Sequence, residues 1–169
     1  MALKVIACLL SENLAFRIKL MEYTLDSMTE SDWDAVRDIY LEGIATRNAT
    51  IETEAPDWEE WNANHLSDCR LVARSGGKVL GWAVLSPVSR RAAYSGVAEE
   101  SIYVAASARG TGIGKALLGA LVTASEEAGI WSLQAGIFPE NTVSIAIHKS
   151  VGFREIGFQE RKGFLDGVW

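Results

Sequence analysis

Gly110, Gly112 and Gly114 follow a strand-like run and open an apolar-periodic segment, with Arg109 before them and Lys115 after. Glycines let a backbone turn tightly and approach a ligand closely. The free N–H groups and positive dipole end of a helix that starts there form an anion site. In a chain of net charge −6 this is a local concentration of positive charge, and a pyrophosphate is its natural guest. Two phosphate motifs fail on spacing. A P-loop needs glycine where Arg109 stands and Ser or Thr where Ala116 stands. The dinucleotide fingerprint needs glycine where Lys115 stands. What remains is Arg-x-x-Gly-x-Gly, carried by Arg109, Gly112 and Gly114 with Gly110, Thr111, Ile113 and Lys115 in the same turn.

Glu99 opens the strand that leads into this turn, beside a polar loop. A carboxylate so placed can take a proton directly or through a water; taken by itself, it reads more readily as a solvated strand-edge residue. Glu100 points to the opposite face of a regular strand and reads as structural, unless a bulge reverses the pair. His148 lies two helical turns after Asn141, so the two share a helix face.

The elements that position these residues follow from periodicity. Residues 22–28 read as a first strand and 33–44 as a helix capped by Thr29 or Ser31. After the break at Ala55-Pro56-Asp57 comes a short helix with Trp58, Trp61 and Leu66. Residues 70–73 and 79–85 form a hairpin about Ser75-Gly76-Gly77-Lys78, and 87–96 is a loop with two arginines. Residues 99–105 and 131–138 read as strands, 112–128 and 141–151 as helices, and 153–161 as a final strand. The order defines an α/β domain with a mixed sheet and packed helices.

The composition bounds the function. The 169 residues suit one domain with its own core, and the acidic balance argues against nucleic acid or an anionic membrane as partner. Cys8 and Cys69 stand far apart in no metal-ligand spacing, which reads as free thiols in a reducing, cytoplasmic setting. No apolar run approaches the ~20 residues needed to cross a bilayer. Residues 1–20 do not fit the pattern that starts at Met21 and read as an extension outside the 21–169 domain.

The chain resembles the GNAT (GCN5-related N-acetyltransferase) superfamily. Its pyrophosphate loop matches at Arg109, Gly112 and Gly114, and its later helix at Asn141, Ser144, His148 and Gly152-Phe153. Within it, the chain is similar to the phosphinothricin and methionine sulfone (sulfoximine) acetyltransferase group. That likeness rests on Asn48-Ala49-Thr50, Glu52-Thr53-Glu54, Gly81-Trp82-Ala83, Arg91, Tyr94 and Glu99 with Ser101 to Val104. Coverage runs from about residue 21 to the end.

The resemblance implies the acyl-CoA N-acyltransferase fold, a central, mostly antiparallel twisted sheet flanked by helices. It implies acetyl-CoA as co-substrate and no metal, with Glu99 as general base and His148 as thiol contact or general acid. Asn141 and the backbone of Ile102, Tyr103 and Val104 are expected to hold the pantetheine arm, the latter as an added strand. Arg91 and Tyr94 are expected near a small amine acceptor, and a homodimer is expected. A further strand usually follows the equivalent of Trp169, so either residues 4–10 complete the sheet or an edge stays open. Ser89, Ala98 and Ile51 depart from the group's usual residues and leave the acceptor open. Two other functions share the fold: acetylation of a protein or peptide amine, and a catalytically silent acetyl-CoA-binding module.

Overall fold

The computed structural model describes residues 3–4 and 22–167. The strands are β1 (Leu3–Lys4), β2 (Thr24–Ser27), β3 (Leu71–Ser75), β4 (Lys78–Pro87), β5 (Val97–Val104) and β6 (Ser132–Gln134). They lie side by side in chain order, antiparallel except for the parallel β5–β6 pair. The helices are α1 (Trp33–Ala45), α2 (Trp58–Asn64), α3 (Ile113–Glu127) and α4 (Thr142–Ser150). The mostly antiparallel mixed sheet with flanking helices is the expected class.

The local causes are direct. The β3–β4 hairpin turns on Gly76 (φ 55°) and Gly77 (φ 82°), and two positive φ values in a row define the tight turn whose twist matches the strands. Asp57 caps α2 by accepting the Glu60 N–H at 2.9 Å. Side chains alternate along β4 and β5, so the sheet has two different faces. On one, Trp82 and Tyr103 meet α1 and α2. The Trp82 indole donates to the Val36 carbonyl (3.1 Å), and Tyr40 stands edge-on to Trp82 and Tyr103. On the other, α3 packs Ile113, Leu117, Leu118 and Leu121, all fully buried, against β3, β4 and β5. Four of the six tryptophans (Trp33, Trp58, Trp61 and Trp82) form one ring-contact chain on the first face.

Asp32 anchors the start of α1 to the sheet. It accepts two 2.6 Å hydrogen bonds from the Arg74 guanidinium on β3, plus the Thr29 N–H at 2.8 Å. The guanidinium holds the Asp32 carboxyl below its ordinary value, against its own burial. Asp32→Ala is expected to cost about 2 kcal/mol at pH 7, below the full penalty for breaking a deeply buried pair because Arg74 keeps some exposure. A depressed carboxylate pKa stabilises fully above the unfolded value and loses that effect as pH falls through the folded one. The deficit should therefore shrink below about pH 4. Urea melts at pH 7 and pH 3 test this, and an equal deficit at both would remove the ion pair as the cause.

Three expectations are corrected. Residues 153–161 form no strand. They form no ladder and end in a turn, leaving Ile156 81 % and Phe158 69 % exposed, because no neighbouring strand among the described residues satisfies their backbone. The 131–138 strand is confined to Ser132–Gln134, since its neighbour β5 pairs with it only there. Asn141 is the cap of α4 rather than part of it. Of the 4–10 segment, Lys4 pairs with Thr24 at the β2 edge, far from β6, and residues 5–10 lie outside the described residues. The outer edge of β6 carries no strand among the described residues.

Candidate active site

The glycine turn is built as an anion cradle. Gly112 is the residue before α3 and has φ 88°; Gly110 has φ 76°. A β-carbon at either position would meet no protein atom within 4 Å, so both face open space. The Ala116 N–H makes the bond back to the Gly112 carbonyl (3.1 Å), which leaves the N–H groups of Ile113, Gly114 and Lys115 ahead of the helical ladder. Thr111 braces the turn by donating to the Ala108 carbonyl (2.6 Å). Arg109 and Lys115 are exposed beside it, and Arg109 donates to the last carbonyl of β5, Val104, at 3.3 Å.

The same strand opens on its outer side. β5 pairs with β4 from Ala98 to Val104, but with β6 only from Val97 to Glu99. From Glu100 onward the outer edge of β5 has no strand partner among the described residues. Such an edge offers alternating N–H and C=O groups to an extended ligand. Ile102, Tyr103 and Val104 lie on this open stretch, which runs straight into the glycine turn. A molecule with a pyrophosphate at one end and amide groups along its arm fits both features. Asn141, the residue before α4, has its side chain already engaged. Its oxygen accepts the Ser144 N–H (3.1 Å), and its nitrogen donates to the Asn48 carbonyl (2.9 Å), tying α4 to the loop after α1.

Glu99 and Glu100 separate as strand alternation requires. Glu99 is half-buried on the α1–α2 face and accepts the Gln134 amide at 2.9 Å. Ser101 and Tyr103 share that face. Both line a cleft of about 750 Å³ between the sheet, α2 and the loop before it. The cleft carries Glu52, Glu54, Asp57 and Glu60, and no lysine or arginine among the described residues. His65 also lines it; burial pulls the imidazole below its ordinary pKa, and Nδ1 donates to the Trp61 carbonyl (2.6 Å). Burial likewise raises the hydroxyl pKa of Tyr103.

Glu100 and His148 meet on the other face. His148 Nε2 lies 2.6 Å from Glu100 Oε1, and Nδ1 lies 2.7 Å from the Ser144 carbonyl. Both side chains are 4 % exposed. Burial alone would lower the imidazole pKa, but the hydrogen bond and charge of Glu100 reverse this, and the net shift is upward. His148 is therefore brought to the inner end of the opening in β5, but on the side away from Glu99. Arg91 and Tyr94 lie on the exposed loop between β4 and β5, with the guanidinium 5.8 Å from the Tyr94 ring. Neither lines the cleft.

Sequence reasoning read Glu100 as structural and passed over Gln134 and the cleft residues Asp57, Glu60 and His65 as functional groups. Only Glu100 left a signal. It shares a strand face with Ala98 and Ile102, and a carboxylate in such a register needs a partner. Among the described residues no group of three His, Cys, Asp or Glu side chains could hold a metal ion, and no helix is long and apolar enough to cross a membrane.

Residues 27–153 match the acetyltransferase (GNAT) family profile, so the chain belongs to that family. It is an acetyl-CoA-dependent N-acetyltransferase with phosphinothricin acetyltransferase relatives. The phosphinothricin N-acetyltransferase of Alcaligenes faecalis is 34 % identical over 153 residues, covering 86 % of this chain and 77 % of that one. The L-methionine sulfoximine/L-methionine sulfone acetyltransferase of Pseudomonas aeruginosa (strain PAO1) is 30 % identical, covering 82 % and 84 %. The phosphinothricin acetyltransferase of Sinorhizobium meliloti, solved in complex with AcCoA, superposes with a TM-score of 0.78 at 33 % identity, covering 87 % and 83 %.

Proposed function

We propose that this enzyme transfers the acetyl group of acetyl-CoA to the primary amine of a small amino acid or analogue, by direct attack within a ternary complex. The observation that carries the reading is the place of Glu99. It stands at the last paired position of β5, where the edge opens, and shares a face with the cleft residues Ser101 and Tyr103. The glycine turn binds the pyrophosphate, and the open edge from Ile102 to Val104 aligns the arm so that the thioester lies near Glu99. An alkylamine is mostly protonated at pH 7, so attack needs a base, and Glu99 takes that proton directly or through a water. The catalytic unit is the 21–169 domain, working in the cytoplasm as a homodimer on a small-molecule amine. The net charge of −6 supports that partner over nucleic acid, and the exposed side chains of Trp131 and Ile156 support contact with a second copy.

The relatives' names point to amino-acid analogues with an acidic or polar head. Arg91 and Tyr94, on the loop just before Glu99, are the groups that would meet such a head. A second reading has its own observation. The cleft holds four carboxylates and no cation among the described residues, which favours an acceptor with an additional positive charge. A thiol-release assay with acetyl-CoA separates the two. Turnover on methionine sulfone, methionine sulfoximine or phosphinothricin supports the first reading, and preference for diamines or polyamines supports the second. Silence on all of these, with acetyl-CoA still bound and a short peptide acetylated, would overturn both.

A further inference from the structure

The Glu100–His148 pair is the buried ionisable cluster that the proposed chemistry leaves unused, and its geometry limits what His148 can do. The Ser144 carbonyl can only accept, so His148 Nδ1 carries a hydrogen. His148 Nε2 is only 2.6 Å from a carboxylate oxygen, so one proton lies between them. Neither ring nitrogen has a further hydrogen to give. Glu100 differs. Its second oxygen, Oε2, is buried without a hydrogen-bond partner among the described residues. A buried acceptor left unmade costs on the order of 1–3 kcal/mol, so Oε2 calls for a donor that the described residues do not supply. Glu100 is the first residue of β5 beyond its pairing with β6, at the inner end of the opening and on the face opposite Glu99.

We propose that Glu100 is the positioning residue for His148, and that the proton shared by the two is the one delivered to the departing thiolate of CoA. The assignment rests on the acetyl-transfer reading above. The amine nitrogen bonds to the thioester carbonyl carbon, the C–S bond breaks, and its electron pair stays on sulfur. Sulfur takes the shared proton and becomes the thiol. His148 is left neutral with its Nδ1 hydrogen still on the Ser144 carbonyl, and Glu100 is left as a carboxylate. Glu100 Oε2 then accepts the new S–H. A carboxylate facing the bare Nε2 at this distance draws a proton back from solvent, which resets the pair. Base and acid thus stand on opposite faces of one strand, one residue apart, on either side of the bond that breaks.

The test is Glu100→Gln, which keeps the size and a hydrogen bond to His148 but removes the charge that holds the shared proton. Turnover at saturating amine should fall by about tenfold to a hundredfold, with the acetyl-CoA dissociation constant unchanged within about threefold. Nitrogen-15 spectra of histidine-labelled protein at pH 7 should show His148 as an imidazolium in wild type and neutral in the variant, and the fall in turnover should shrink with an acetyl thioester of a more acidic thiol, a dependence that a merely structural role would not produce. Turnover within twofold of wild type, or the same ring state in both proteins, would overturn the proposal. If the variant does not fold, the wild-type spectrum decides: an imidazolium supports the pair and a neutral ring overturns it. Wild-type protein that acetylates no amine would instead count against the acetyl-transfer reading, and the ring spectra would still report on the pair.

Discussion

Replacing Glu99 with glutamine should lower turnover by about a hundredfold or more while leaving acetyl-CoA affinity nearly intact. A general base contributes on that scale, and its loss falls on the chemical step rather than on binding. The substitution is well matched to the site. Glu99 accepts the Gln134 amide through Oε2, and a glutamine oxygen can accept the same bond, so the last rung between β5 and β6 survives. The glycine turn is at the far end of β5 and does not touch this side chain. Steady-state kinetics at saturating amine, beside an equilibrium measurement of acetyl-CoA binding, give the two quantities separately. Full turnover in the variant would remove Glu99 from the mechanism. A parallel loss of cofactor affinity would make it a binding residue instead.

Gly112→Val should abolish acetyl-CoA binding, a loss of at least a hundredfold, with the fold intact. Two effects combine at this position. A β-branched residue at φ 88° carries backbone strain of about 1–3 kcal/mol, and its side chain projects into the open space before the α3 N–H groups. No protein atom lies within 4 Å of that side-chain carbon, so what it obstructs is the ligand, which must come close to reach those groups. Gly77→Val separates the two effects. Gly77 has a similar φ of 82° and equally open surroundings, but it lies in the β3–β4 hairpin. It should lose comparable thermal stability and keep its affinity. If Gly112→Val binds normally, the pyrophosphate assignment is wrong. If both variants lose affinity alike, global strain is the cause.

Much of this site could be read locally because its parts are local. The glycine turn needs only its own backbone angles and the helix that follows it, and both are encoded within residues 109–116. The Gly76-Gly77 hairpin is the same kind of feature. Glu99 and Glu100 were placed on opposite faces by strand alternation alone, and no bulge reverses them. Asn141 shows where local reading falls short. Its spacing from His148 predicted a shared face, yet its side chain is used to cap α4 and to hold the Asn48 carbonyl, a partner far away in sequence. Residues 153–161 carry an extended pattern, but a strand exists only where a neighbour accepts its hydrogen bonds, and none among the described residues does.

The sequence by itself determined the class of the domain, the glycine turn that opens α3 and the opposite faces of Glu99 and Glu100, since each depends on contacts within a few residues or on periodicity. The tertiary structure alone decided which carboxylate His148 would meet, where the edge of β5 would open, and that the cleft beside Ser101 and Tyr103 would be acidic. Those outcomes depend on packing between segments tens of residues apart. Burial then gives such a meeting its chemical weight. Glu100 and His148 are ordinary surface-type residues until the core takes them out of water, and only there does a single shared proton become worth holding in place.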